Sequence, residues 1–184
     1  QFRTADNASA LVDITNTGSV GVGTESPNRN LHVSGGAGDV AFGITNAATG
    51  TAASDGFSIT VENPTPDVAI RQRENNDMKF LTNNTERMRI DSSGNVGIGV
   101  TPQANWHSNY DAVAIGEQAV LFAHADGIGN DSATYLGTNV YENSGAKYLR
   151  TDKSSLYRQQ SGKHDFYVAP SGTADAAISW TTAM

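Results

Sequence analysis

Ser161, His164 and Asp165 place a hydroxyl, an imidazole and a carboxylate in one short stretch, the three groups of a nucleophilic triad. Closeness in sequence does not make that chemistry. A triad is a spatial arrangement around an exposed nucleophile, and no Gly-x-Ser-x-Gly elbow is present to supply one. The four histidines, His32, His107, His124 and His164, share no His-x-x-x-His or related ligand spacing, so each reads as a surface or hydrogen-bonded side chain. Gly-x-Gly pieces at 21–23, 97–99 and 127–129 lack the third glycine and the following helix of a dinucleotide site. The acidic turn 126–131 lacks the ligand order of a calcium loop, and the 19 acidic residues single out no pair for glycoside cleavage. No catalytic residue, metal or cofactor is assigned, and the chain reads as a non-enzyme.

Aromatic residues with polar handles are the better lead. Trp106, His107 and Tyr110 lie together in a polar stretch where a tryptophan is hard to bury fully, and such rings offer flat apolar faces to sugars. They are the candidate receptor-binding residues, and Trp106 and Tyr110 are expected to be partly exposed. The alternative for Trp106 is packing at a junction between two modules. Tyr141, Tyr148, Tyr157, Tyr167 and Trp180 fall in strand-like segments and read as core or subunit-interface residues. Residues 1–100 hold four aromatics, all Phe, and residues 101–184 hold ten, so any receptor contact is expected in the second half. Asn7, Asn83 and Asn130 head Asn-x-Ser/Thr triplets and read as turn residues.

The elements that must position these residues are strands. Turn-forming Gly, Asn, Asp and Ser recur every few residues, and no longer segment keeps the apolar spacing of an amphipathic helix. Strands are expected over 11–14, 20–23, 30–33, 40–45, 57–61, 68–72, 78–82, 88–90 and 96–100. In the second half they are expected over 112–115, 120–123, 134–136, 139–142, 148–151, 155–160, 163–169 and 177–181.

One segment occurs twice. Ile14-Thr-Asn-Thr-Gly-Ser-Val-Gly-Val-Gly23 returns as Ile90-Asp-Ser-Ser-Gly-Asn-Val-Gly-Ile-Gly99, each copy followed by a proline, Pro27 or Pro102. Each reads as a hairpin whose second strand has Val20 and Val22, or Val96 and Ile98, on one face and glycines on the other. A bare glycine face marks a place where another backbone comes close, and a neighbouring copy of the same chain is the expected source. Leu, Ile, Val and Phe make up 35 of 184 residues, about 19%, which is under the rough 20% needed for a self-sufficient core. Disorder is disfavoured by a modest net charge of -7 and by the alternating patterns. A core shared between subunits fits better, with Val20, Val22, Val96 and Ile98 at a trimer axis.

The acidic balance and scattered Lys and Arg argue against nucleic-acid binding. There is no cysteine, and no apolar run approaches the ~20 residues needed to span a bilayer, so membrane insertion is not expected. The chain starts at Gln1 without an initiator Met, as expected of a fragment or processed product.

The run Asn83-Asn-Thr-Glu-Arg-Met-Arg-Ile-Asp-Ser-Ser-Gly-Asn-Val-Gly-Ile-Gly99 resembles the module-closing motif of tail fibre and tail spike proteins of tailed bacteriophages. The stretch from Lys147 to Met184 is similar to the segment such fibres carry before the next closing hairpin, and Thr181-Thr-Ala-Met184 resembles Thr85-Glu-Arg-Met88 at the edge of a third copy. The resemblance implies an elongated, intertwined, all-β homotrimer built from hairpin and sandwich-like modules, upstream of an endosialidase-type intramolecular chaperone. Implied partners are the chain itself, a host cell-surface glycan or outer-membrane receptor, and other tail proteins of an extracellular virion. A depolymerising tail spike or a bacterial adhesin stalk are the alternatives; the long parallel β-helix pattern expected of the former is missing. The expected modules are an opening hairpin over 1–27, a first module over 28–102 and an aromatic-rich second module over 103–184 without its closing hairpin.

Overall fold

The computed structural model describes residues 2–3, 10–35, 38–124 and 133–183. The acidic turn 126–131, Asn7, Asn130 and Met184 lie outside them. Among the described residues every regular element is a strand, so the chain is all-β as expected. It divides into two compact units, 1–74 and 75–184.

The first unit holds two sheets. One is β1 (Phe2–Arg3), β2 (Ala10–Ile14), β3 (Val20–Val22) and β4 (Leu31–Val33) in that order, with β3 and β4 parallel and the other pairs antiparallel. The other is an antiparallel meander of β5 (Val40–Ile44), β6 (Phe57–Val61) and β7 (Val68–Gln72). The second unit is built on a nine-stranded sheet. Its strands are β8 (Met78–Thr82), β9 (Thr85–Ile90), β10 (Val96–Ile98), β11 (Tyr110–Ile115), β12 (Ala119–His124) and β13 (Ala133–Thr138), then β16 (Asp152–Gln160), β17 (Lys163–Gly172) and β18 (Thr181–Thr182). All neighbours are antiparallel except β10 and β11. Between β13 and β16 the chain leaves the sheet to form the small pair β14 (Tyr141–Glu142) and β15 (Ala146–Lys147).

The expected boundaries at 27 and 102 both fall inside a sheet. β3 pairs with β4 across Pro27, and β10 pairs with β11 across Pro102, so the hydrogen-bonded ladder continues where a division was expected. Three strand assignments also change. Residues 148–151 are not a strand, because their polar groups are used elsewhere: the Tyr148 amide donates to Ala176 O (3.1 Å) and its carbonyl accepts from the Asp175 amide (2.8 Å). Asn139, with φ 60°, ends β13, so the expected strand 139–142 shrinks to β14. The expected strand 177–181 reduces to a bridge between Lys147 and Ala177 and to β18.

β2 and β3, and likewise β9 and β10, are joined by turns with matching hydrogen bonds. Thr15 N donates to Ser19 O (2.9 Å) and Gly18 N to Thr15 O (3.0 Å); Asp91 N donates to Asn95 O (2.9 Å) and Gly94 N to Asp91 O (3.0 Å). Gly18 and Gly94 sit at φ 84° and 91°, in the left-handed region where a side chain is strained. The glycine face of the following strand is packed by the chain itself. A Cβ on Gly97 would collide with the Val100 carbonyl oxygen and lie 2.8 Å from Pro102 Cδ, and one on Gly21 would collide with the Thr24 carbonyl. The close backbone approach expected there from a neighbouring copy thus comes from the turn three residues further on.

Each of the three larger sheets has one apolar face that its own unit leaves largely open. In the three-stranded sheet, register places Val40, Val61 and Val68 in one row and Phe42, Ile59 and Ile70 in the next. Most of these are exposed, Val68 by 68%, while Ser58 and Thr60 on the opposite face are buried. In the four-stranded sheet the rows are Val12, Val22, Val33 and Ile14, Val20, Leu31, with Leu31 and Ile14 the most open. In the nine-stranded sheet one row runs Val96, Val113, Leu121, Leu136, Tyr157, Phe166, and Ile98 and Ile115 belong to the next. The other face of that sheet carries the core of the unit. Ala112, Ala114, Val120, Phe122 and Leu156 are buried there against Val140, with Trp106, Leu149 and Ile178 packed around them.

Candidate functional site

Trp106 and His107 lie on the connection from β10 to β11, which carries the chain across the covered face of the sheet, and Tyr110 opens β11. The Trp106 ring packs 5.0 Å from Phe122 and 6.1 Å from Tyr141, measured between centroids. It is half-buried, and its Nε1 is buried without a hydrogen-bond partner among the described residues. His107 is tied down by its backbone: its N–H donates to Glu142 O (2.8 Å), its carbonyl accepts from Tyr110 N (3.0 Å), and its Nδ1 accepts from Asn109 N (3.2 Å). Its ring meets Tyr110 edge-on at 6.4 Å. Tyr110, at the start of β11, lies 4.3 Å from the His124 ring and 6.3 Å from Tyr135, which stacks on Phe122 at 4.5 Å. The three residues therefore belong to one aromatic cluster and all are half-buried, so Trp106 and Tyr110 keep the partial exposure expected of them. Trp106 packs against the core of its own unit.

Tyr110 alone of the three lines a cavity of about 320 Å³ on the covered face of the sheet. Tyr135, Arg158, Tyr167, Trp180 and Glu142 form its other polar and aromatic walls. Phe122, Tyr135, Arg158 and Asp165 stand in register across β12, β13, β16 and β17, and the first three of that row line one side of the cavity. Arg158 Nη2 donates to Asp165 Oδ2 (2.7 Å) and to the Tyr167 hydroxyl, and its guanidinium carbon lies 5.1 Å from the Tyr167 ring centroid. That ion pair holds the Asp165 carboxyl below its usual range. Burial pushes the Glu142 carboxyl up, opposed by the Gly145 amide that donates to its Oε1 (2.8 Å) and by the fields of His107 and His124.

The remaining aromatics sort by face. Tyr141 and Tyr148 are buried, their hydroxyls donating to Asp175 Oδ1 and Pro170 O, each at 2.7 Å. Tyr157 lies on the open face, stacked on Phe166 at 4.8 Å. Tyr167 and Trp180, 6.0 Å apart, are cavity walls. Glu142, Arg158, Tyr135, Tyr167 and Trp180 are not site candidates in the sequence, because they come from β14, β16, β13, β17 and the approach to β18 and line one cavity only in the folded unit. The one local signal was the alternation of Leu156 with Arg158 and of Asp165 with Tyr167 along their strands.

Ser161, His164 and Asp165 do not converge. His164 and Asp165 are successive strand residues and point to opposite faces. Asp165 is bound by Arg158, His164 Nδ1 is hydrogen-bonded to the Tyr157 hydroxyl, and Ser161 occupies the turn between β16 and β17 with φ 51°. Among the described residues no group of three or more His, Cys, Asp or Glu is placed to hold a metal ion. Asn83 lies in the β8–β9 turn at φ 49°. Val20 and Val96 are half-buried, Val22 and Ile98 are exposed, and all four belong to the open apolar faces. Comparison with protein-family models, curated proteins and solved structures finds no significant match to the chain.

Proposed function

We propose that this chain is a non-enzymatic segment of a bacteriophage tail fibre that assembles as a parallel, intertwined homotrimer and presents receptor-binding surface. Its place is the virion tail, where it mediates adsorption to the host cell surface through a glycan or outer-membrane receptor and joins other tail proteins. It takes no cofactor, nucleic acid or membrane insertion.

The observation that carries this reading is the open apolar face on all three larger sheets. A monomer exposing Leu31, Phe42, Val68, Ile70, Ile115, Leu121 and Leu136 in registered rows would be prone to associate. Fully burying an exposed side chain of this kind contributes about 1.5–3 kcal/mol and covering the remaining half of these about half of that, and cyclic symmetry makes each contact three times. The expected axial residues Val20, Val22, Val96 and Ile98 lie within these rows, and the two Val-Gly hairpins they come from have the same turn and register. Repeated hairpins of this kind are the module-closing feature of the resemblance. Light scattering on the 184-residue chain tests the assembly, and binding of the labelled protein to bacterial cells tests adsorption. A monomer at micromolar concentration, or no binding to any cell of a Gram-negative panel, would count against the proposal.

A further inference from the structure

We infer that the cavity between Tyr110, Tyr135, Tyr167 and Trp180 binds a neutral pyranose unit of a cell-surface glycan, an inference that rests on the receptor-binding reading above. At about 320 Å³ it is the size of a small-ligand site. Of its five aromatic walls Phe122 is buried, while Tyr110, Tyr135, Tyr167 and Trp180 are half-buried and keep part of their surface exposed. A pyranose presents alternating C–H patches and hydroxyls, which suits flat rings interrupted by a few polar groups.

The charges choose among ligand classes. Arg158 and Glu142 both line the cavity. Arg158 is already engaged by Asp165 and Tyr167, so an anionic ligand would gain little from it and would meet the Glu142 carboxyl. A quaternary ammonium group fits an aromatic cage, but its ammonium carries no N–H to donate to Glu142 Oε2, so it would cover that carboxyl without hydrogen-bonding it. A wholly apolar ligand would strip water from Glu142 without replacing its hydrogen bonds. A hydroxyl satisfies both walls. Glu142 Oε1 accepts the Gly145 amide, and Oε2 is the carboxyl oxygen left to receive a sugar O–H. The sequence candidate Trp106 then acts from behind, fixing Phe122, on which Tyr135 stacks.

The test is saturation-transfer NMR on the 184-residue protein with methyl glycosides of glucose, galactose, mannose and N-acetylglucosamine, and with sialic acid and choline as charged probes. The expected result is transfer to the ring protons of at least one neutral glycoside and to neither charged probe. Trp180→Leu and Tyr135→Leu, each checked for an unchanged circular dichroism spectrum, should weaken binding at least tenfold, and Glu142→Gln should weaken it several-fold. Silence from all four neutral glycosides, a response to sialic acid or choline alone, or unchanged binding in whichever cavity variants fold would overturn the inference. Cell binding separates the two claims. If wild type and Trp180→Leu bind bacterial cells equally, the receptor surface lies elsewhere and only the cavity assignment fails; if wild type binds neither cells nor glycosides, both fail.

Discussion

Leu121 and Leu136 stand directly opposite one another on β12 and β13, and they remain 45% and 58% exposed in the middle of a nine-stranded sheet. The central strands of a sheet normally bury such a pair. On the proposed trimer this row is covered by a neighbouring copy, and a charge placed in it must be desolvated on assembly without a partner. Leu136→Asp, Val96→Asp and Ile98→Asp should each convert the trimer to monomer at micromolar concentration. Analytical ultracentrifugation reads this directly, and an intact trimer in all three variants would place the contact on another surface.

Gly97 and Gly94 make separable predictions. A methyl at Gly97 meets the Val100 carbonyl and the Pro102 ring, so Gly97→Ala forces backbone to move and should cost about 1–3 kcal/mol. At Gly94 the space is open and only the φ of 91° resists a side chain, so Gly94→Ala should cost about 1–2 kcal/mol. Gly94→Asn should recover part of that loss, whereas Gly97→Asn should be worse than Gly97→Ala. Urea denaturation of the four variants distinguishes the two causes.

Asn139 is fully buried and clasps the Arg150 residue at both polar groups: Oδ1 accepts the Arg150 N–H (2.7 Å) and Nδ2 donates to the Arg150 carbonyl (3.1 Å). Nδ2 also donates to Lys153 O (3.0 Å). Asn139→Ala leaves these backbone groups to find other partners, at about 1–3 kcal/mol for each one that stays buried and unsatisfied. A fall in melting temperature of several degrees is expected, larger than for the exposed Asn76→Ala.

Tyr141 carries an alkaline signature. Burial first, then its hydrogen bond to Asp175 and the nearby carboxylate charge, push its hydroxyl up to about 12 from an ordinary 10. The folded state therefore keeps the proton while the unfolded chain loses it, and stability falls as pH rises from about 10 to 12. The loss should be about 1–3 kcal/mol across that window. Tyr141→Phe should be less stable at neutral pH and flatter above pH 10; an unchanged slope there would mean that another group titrates.

Local pattern was readable in the sequence wherever one short segment decides the outcome. Phe57-Ser-Ile-Thr-Val61 alternates and flanks turns, and it is a strand with those bounds. The two Val-Gly strands likewise follow from their own residues. The path from 139 to 151 was not readable, because Asn139 turns into the left-handed region and its amide captures Arg150 in place of a ladder partner. The inward face of Gly97 was legible as a close approach but not as the chain's own turn, which depends on Val100 and Pro102 folding back. The cavity was least accessible of all: Glu142 and Arg158 meet because β13 skips β14 and β15 to pair with β16, a choice that no local spacing encodes.

Multi-angle light scattering of the purified 184-residue chain at micromolar concentration bears most directly on the open apolar faces. The expected mass is three times that of the 19.3 kDa chain, unchanged on dilution over a tenfold range. A stable species with the mass of one chain would mean that these faces stay in water, and the shared-core explanation would be wrong.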